Sequence, residues 1–573
     1  RNVIIANTET AMHIIDHFAG LGKPSAALLA QQEMRIYGIV HFGLNTYIGR
    51  EWGMGDAPPE LFNPEFFDAH QLVRAARDGG LQGLILVCKH HDGFCLWPTA
   101  TTQYNISHSQ WRNGKGDMVA EISAACRAEG LRFGVYVSPW DRNNAAYGTD
   151  RYPELFRQQL KEVLTGYGEI FEMWFDGANG GDGYYGGARE VRKIDASVYY
   201  DWEKTWRLVR ELQSHAAIFS DVGPDRRWCG NERGYLAGDS VCSIDLAMPP
   251  DSPTVTPCPG NMDSARLNTG NANGRYYLMP ECDFPLRARW FYHPDDDDRV
   301  RSAAKLLDIY LHSVGCGGTM NIGLAPDSTG RITEKDCREL RLFREKIDGL
   351  FRCRIFDAKL KTGRQIVNFD RPVEFNLIRL QEPFEAGEKI SNCIVEGKIK
   401  DVWQKLFSVK AVGPCRLRHI TPVTISSLRV TAEGVPEATL QLELFNADEQ
   451  VFAIADDFLT RAERPEIRKV TVTGKTALLD LEETRNLAGL EFVPDDPAAP
   501  GTPDRFLVET GCDGTTWETV VPAGEFSNIQ ANPIPQEIIF SERRAVRYIR
   551  FCVVHTLSEN ADSLAYRSFR TIE

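Results

Sequence analysis

The sequence predicts a TIM-like (β/α) barrel followed by two β-sandwich domains, and three features of its patterning lead there. From about Met34 to Ile347, short apolar runs alternate with amphipathic stretches, as repeated βα units require. After about Gly349 the helical periodicity gives way to alternating strands. A charged, proline-containing joint at Asp456–Ile467 then divides the all-β remainder in two. The expected domains are 1–348, 349–455 and 456–573, within the about three to five that a chain of 573 residues allows.

In the first domain, candidate strands are Arg35–His41, Gly83–Cys88, Leu131–Val137, Glu169–Phe175, Ala216–Ser220 and Thr319–Ile322. Between the first two, Ala69, Leu72, Val73 and Ala76 recur at helical spacing and share one face that can cover a sheet. Met118, Ile122 and Ala125 repeat this after an Asp117 N-cap, and Leu306, Leu307, Tyr310 and Leu311 supply another apolar face before the last strand. Such alternation over roughly 300 residues favours a closed barrel over an open sheet. The stretch from Val222 to Pro285, rich in Gly, Pro, Asn and Asp, yields no confident strands and reads as long loops on an active-site rim. In the second domain, strands are expected at Gln365–Phe369, Val402–Val409, Val423–Thr431 and Ala438–Leu444; in the third, at Lys469–Thr473, Arg505–Glu509 and Val546–Val553.

Composition narrows the function. With 43% hydrophobic and 25% charged residues and no run of 18 apolar residues, the chain is an ordinary globular one with no expected membrane insertion. A net charge of −14 opposes phosphate-rich partners, so no nucleic-acid partner is expected and a neutral substrate fits better. The 14 cysteines lack any C-x-x-C pair and read as scattered structural thiols. The chain starts at Arg1 with neither an initiator Met nor the regions of a signal peptide, so a removed leader and a periplasmic or secreted location are expected.

In a parallel barrel the carboxyl ends of the strands converge on one face, where catalysis is housed. That rule selects three clusters: His41-Phe42-Gly43-Leu44-Asn45 with Glu51-Trp52-Gly53, then Lys89-His90-His91-Asp92-Gly93-Phe94, and Trp174-Phe175-Asp176-Gly177. Each could be a solvated turn. Each also carries aromatic or imidazole groups, which suit a sugar with apolar C–H patches beside its hydroxyls. The His90-His91-Asp92 run admits a metal site, but neighbouring strand residues face opposite sides, so substrate binding by both rings needs irregular backbone at the strand end. Asp176 follows an apolar strand, where an ionised carboxylate is costly unless hydrogen-bonded or used. Acid–base work needs a second carboxylate, and spacing alone leaves Asp221, Asp225, Glu232, Glu281 and Asp283 open.

These motifs resemble glycoside hydrolase family 29, the α-L-fucosidases. The resemblance covers about the first 350 residues, through the three clusters, Glu281-Cys282-Asp283 with Trp290-Phe291-Tyr292, and Asn321-Ile322-Gly323-Leu324-Ala325-Pro326-Asp327. It implies that Asp176 is the nucleophile and that His41, Glu51, Trp52, His90, His91, Tyr136, Trp174 and Trp290 line the fucose pocket. Arg227-Trp228-Cys229-Gly230-Asn231-Glu232 resembles the acid/base motif of the subfamily acting on α-1,3 and α-1,4 linkages, which makes Glu232 the acid/base; Cys229 and Arg233 depart from that motif. A glycine-rich insertion, Gly177–Gly187, is expected on the aglycone side. The last domain resembles a discoidin-like carbohydrate-binding sandwich, through Asp513-Gly514-Thr515-Thr516-Trp517, Gly524-Glu525-Phe526 with Asn528, and Arg547-Tyr548-Ile549-Arg550.

The expected function is therefore an exo-acting, retaining α-L-fucosidase that acts on α-1,3/1,4-linked fucose of branched, Lewis-type glycans, without metal or organic cofactor. Its partners are fucosylated oligosaccharides or glycoconjugates; oligomeric state is not readable. The alternatives are a broader α-L-fucosidase that also cleaves α-1,2 bonds, and a non-catalytic protein that binds fucosylated glycans.

Overall fold

The computed structural model describes residues 22–249, 252, 256–453 and 464–573. The chain divides into two compact units, Arg1–Leu459 and Thr460–Glu573. Of the twelve residues of the Asp456–Ile467 joint, the first eight, 456–463, lie outside the described residues, as does the expected boundary at 455/456.

Eight parallel strands close a barrel: β1 Ile36–Val40, β2 Gly83–Lys89, β3 Arg132–Val137, β4 Glu172–Trp174, β5 Ala217–Phe219, β6 Arg226–Trp228, β7 Met279–Pro285 and β8 Thr319–Leu324. They stand in sequence order around the ring, with β8 pairing back to β1 in the register Ile36↔Met320 to Val40↔Leu324. Strand alternation sorts side chains into two layers. Ile36, Val40, Val135 and Val137 face outward into the large core beneath the helices, whereas Tyr37, Ile39, Val87, Tyr136, Trp174 and Phe219 fill the interior. The interior is thus packed with aromatic rings, and it supplies the floor of any pocket above it.

The covering helices are α1 Ala69–Asp78, α2 Met118–Glu129, α3 Tyr152–Gly166, α4 Trp202–Leu212, α5 Ser264–Thr269, α6 Ala303–His312 and α7 Glu334–Phe351. Side-chain caps start most of them: Asp68 accepts from the Gln71 amide, Asp117 from the Ala120 amide and Ser302 from the Lys305 amide. The six observed strands that the sequence predicts agree to within a few residues. Strands β6 and β7 lie in the region read only as loops. The connection from β5 to β6 carries no helix, and α5 is short, so the barrel's helical cover is thin on that side.

Within the same unit, α7 leads to a six-stranded antiparallel sheet. Its strands are β9 Arg354–Lys361, β10 Gly363–Gln381, β11 Ile390–Ile399, β12 Val402–Val409, β13 Arg416–Gly434 and β14 Thr439–Phe445. Register shifts between Asn368 and Val373 and between Phe375 and Leu377 let the long β10 bend across the domain. Leu377, Cys415, Leu417 and Phe445 join the barrel's outer core, and Phe351 of α7 meets Phe445 edge-on at 5.2 Å.

The second unit is a separate antiparallel sheet system: β15 Lys469–Thr473, β16 Thr476–Val493, β17 Pro503–Gly511, β18 Glu518–Glu525, β19 Gln536–Thr556 and β20 Ser568–Ile572. Phe492, Phe506, Phe526, Phe551 and Phe569 form its aromatic core.

Candidate active site

The ends of the barrel strands bring the predicted clusters together. After β2 the pairing with β3 shifts register between Val87 and Lys89. Lys89 turns to the helix layer, where its ammonium meets Asp141 at 3.3 Å and donates to Tyr152 and Gln159. This irregularity sets both following imidazoles side by side, His90 and His91 having ring centroids 4.1 Å apart. The glycine of the motif is required: Gly93 has φ +86, and a Cβ there would lie 2.2 Å from Asp141 Oδ1.

Asp176 follows β4, and Tyr136 of β3 donates its hydroxyl to Asp176 Oδ2 at 3.0 Å. The other oxygen accepts the Ala178 amide at 2.7 Å, and His91 Nε2 lies 3.8 Å from Oδ2. Ser138 Oγ donates to the Trp140 carbonyl, so at 2.7 Å from His91 Nδ1 it accepts, which leaves His91 Nε2 as an acceptor facing the pocket. Burial pushes the histidines towards the neutral form. The His41 and His91 pKa values fall to about 3 and about 4, and His90 falls well below the usual range. Burial is the largest cause for each, with the neighbouring imidazoles adding to it at His41 and His90. Neutral rings offer one donor and one acceptor each, which suits hydroxyls better than anions.

Glu232 stands on the loop after β6, and the sequence before it explains its placement. Arg227 is fully buried, donating to the carbonyls of Leu267, Cys242 and Val241, and so anchors the strand end. Asn231 closes a turn by accepting from the Arg233 amide at 3.0 Å and donating to the Tyr235 carbonyl at 2.8 Å. Glu232 Oε2 then accepts the indole N–H of Trp290 at 2.9 Å. Its carboxyl is pushed up to about 8, mainly by burial and further by the Asp176 and Glu51 charges, with the Trp290 hydrogen bond opposing.

The remaining predicted residues surround these. Trp174 stacks between Tyr136 at 5.2 Å and Phe219 at 4.2 Å, and its indole donates to Glu281 at 2.8 Å. His41 lies against Trp290 at 4.9 Å and His90 at 5.6 Å. Trp52 meets His91 edge-on at 5.1 Å. Glu51 differs from a free pocket carboxylate, because both its oxygens are engaged by the Trp290–His293 segment.

Further groups stand around the site; Arg142, Glu172 and Arg226 were not singled out from the sequence, whereas Asp221 and Glu281 were among the carboxylates left open. Arg142, buried, donates to the carbonyls of Trp52 and Gly53 and to the carbonyl and carboxylate of Asp182, tying the first cluster to the insertion, whose Gly181–Gly183 pairs with Glu190–Arg192. Asp221, past β5, accepts the Gly260 amide at 2.8 Å, and burial raises it to about 7, with the Asp176 charge adding to the effect. A Cβ on Gly177 would approach Asp221 Oδ2 to 2.8 Å, which is why the residue after the nucleophile candidate is glycine. Inside the barrel, Glu172, Arg226 and Glu281 form a buried charged group, Arg226 meeting Glu172 at 3.0 Å. No sequence signal separates Arg142, Glu172 and Arg226 from ordinary surface charges. Among the described residues no three His, Cys, Asp or Glu side chains are arranged to hold a metal ion.

Residues 29–343 match the family model described as Alpha-L-fucosidase. The chain is 34% identical over 452 residues to Alpha-L-fucosidase 1 of Arabidopsis thaliana, spanning 72% of this chain and 85% of that one. Among solved structures, it is similar to a glycoside hydrolase 29 family member from an unknown rumen bacterium, with TM-score 0.70, 33% identity and coverage of 96% of this chain and 99% of that one. It is also similar to a putative alpha-L-fucosidase from Bacteroides ovatus, with TM-score 0.66, 31% identity and coverage of 96% and 95%.

Proposed function

The chain belongs to the α-L-fucosidases of glycoside hydrolase family 29, and from that premise we propose an exo-acting, retaining enzyme for α-1,3/1,4-linked fucose on branched glycans. The observation that carries this reading is the contrast between its two carboxyl groups. Asp176 accepts hydrogen bonds from the Tyr136 hydroxyl and the Ala178 amide, one on each oxygen, which orient its carboxyl group for attack. Glu232, raised to about 8, keeps the proton that a departing oxygen needs.

In this mechanism Asp176 attacks the anomeric carbon as Glu232 protonates the leaving oxygen, and a fucosyl ester forms at Asp176. Glu232, now ionised, takes a proton from water, which releases fucose with its configuration retained. Their carboxyl groups lie about 5–5.5 Å apart in the reacting complex. His41, His90, His91, Trp52, Tyr136, Trp174 and Trp290 line the fucose subsite, with neutral imidazoles pairing to hydroxyls and indole faces covering apolar C–H groups. The insertion held by Arg142 borders the aglycone. The barrel, 1–348, carries catalysis; 349–455 and 456–573 serve stability or polymer targeting. A periplasmic or secreted location fits substrates carried on glycoconjugates.

For the discoidin-like end, an architectural role is favoured over sugar binding. Trp517 carries the Arg550 guanidinium on its ring at 4.0 Å, Arg550 pairs with Glu509 at 3.2 Å, and Phe526 is core.

Hydrolysis of a panel of fucosylated oligosaccharides tests the linkage. A higher kcat/KM on a Lewis-type trisaccharide than on an α-1,2-fucosyl disaccharide is expected, since contacts to the second branch raise reactivity at the scissile bond. Equal values favour the broader enzyme, and binding without turnover favours a glycan-binding protein.

A further inference from the structure

The segment that carries Trp290 is built as a fixed arm. At its base Arg287 pairs with Asp336 at 3.0 Å, and Arg289 pairs with Asp296 at 2.7 Å and Asp295 at 2.8 Å. Asp295 and Asp296 of the acidic run thereby serve as scaffold. Trp290 packs against β8, where a Cβ on Gly323 would come within 2.6 Å of its ring. At the tip, Glu51 Oε2 accepts the Trp290 amide at 2.8 Å, and Oε1 accepts the Phe291 amide at 3.1 Å and lies 2.9 Å from His293 Nε2. The same tryptophan turns its indole N–H to Glu232 Oε2 at 2.9 Å.

We propose that Glu51 is a positioning residue for the acid/base: by fixing the Trp290–Phe291 backbone, it aims the Trp290 indole N–H at Glu232 and so sets the orientation and proton affinity of the leaving-group acid. This goes beyond the fucose-contact role that the family resemblance implies, and it rests on Glu232 being the acid/base. Of the about four acceptor sites on a carboxylate, Glu51 commits three to the Trp290 and Phe291 amides and the His293 ring, so most of its capacity goes to fixing this segment. An indole donor favours the ionised form of Glu232, so it holds the pKa down against burial. The negative charge of Glu51 acts in the opposite direction, raising it. Other titratable or charged groups in the neighbourhood are Asp176 and Asp283 beside Glu232, and His293 and Arg289 beside Glu51.

These opposed signs make the proposal testable in the full-length enzyme. The alkaline limb of the kcat/KM profile is measured for Trp290→Phe, Glu51→Gln and the double variant. Trp290→Phe removes the donor but leaves the titrating neighbours in place, so its limb moves to higher pH. If Glu51 acts through Trp290, Glu51→Gln moves the limb the same way, and the double variant moves it no further than Trp290→Phe. kcat on an oligosaccharide then falls on the order of tenfold, while an aryl fucoside with a good leaving group loses much less. A limb that moves to lower pH in Glu51→Gln, or a rise in KM with the limb unmoved, overturns the proposal. Azide rescue of Glu232→Ala tests the underlying assignment separately: no rescue removes Glu232 as acid/base, whereas rescue with a contrary Glu51 result rejects the positioning role alone.

Discussion

At the scale of single residues, the site separates two carboxyl groups by environment. Asp176 receives donors, whereas Glu232 is held among apolar and acidic neighbours with one indole donor. This gives a pH prediction with a definite sign. The acid form of Glu232 is lost as pH rises through about 8, so kcat/KM on substrates with poor leaving groups declines above that value. The same raised pKa links to stability. Between the ordinary carboxyl range and about 8, the folded protein keeps a proton that the unfolded chain releases, so Glu232 costs the wild type stability as pH rises through that window. Glu232→Gln should therefore gain in Tm relative to wild type as pH goes from 5 to 8, as thermal melts would show; a constant difference contradicts the shift. The three strand-end clusters were legible in the sequence, because an apolar strand followed by polar residues marks a barrel rim, whereas Glu232 was singled out from the other carboxylates only by the family resemblance. The proton affinity of Glu232 was not legible, since its indole partner Trp290 lies 58 residues away.

At the scale of elements, the strands that could be read were those with continuous apolar runs. β6 is Arg226-Arg227-Trp228 and β7 carries Glu281 and Asp283, so neither looks like a buried strand. Three of these groups find partners inside the fold: Arg226 in Glu172, Glu281 in donors from Trp174 and Asn321, and Arg227 in carbonyls. Such compensation depends on partners far along the chain, which local periodicity cannot reveal. Arg142 is the comparable case among loops. Arg142→Ala should destabilise the protein by about 3–5 kcal/mol in chemical denaturation, because Asp182 and several carbonyls lose a buried partner. In the surviving folded enzyme, kcat/KM should fall more for a branched oligosaccharide than for an aryl fucoside if, as proposed, the loosened insertion borders the aglycone. Unchanged stability and an equal loss on both substrates would count against this role.

At the scale of the whole molecule, the change of texture near Gly349 made the barrel and the all-β remainder visible. The packing of the first sheet on the barrel was not visible, because Leu377, Cys415 and Leu417 look like any inward-facing strand residues. A chain ending at Ala453 keeps that sheet and should retain turnover of small soluble substrates, provided circular dichroism shows a native-like spectrum. Lost turnover in a well-folded truncation would give the last domain a part in catalysis.

Double displacement through Asp176 and Glu232 is tested most directly by proton NMR of the first fucose anomer released from an α-fucoside. Retention predicts that α-fucose appears first and mutarotates afterwards, and that Asp176→Ala releases none. Initial β-fucose would mean inversion and would contradict the covalent intermediate at Asp176.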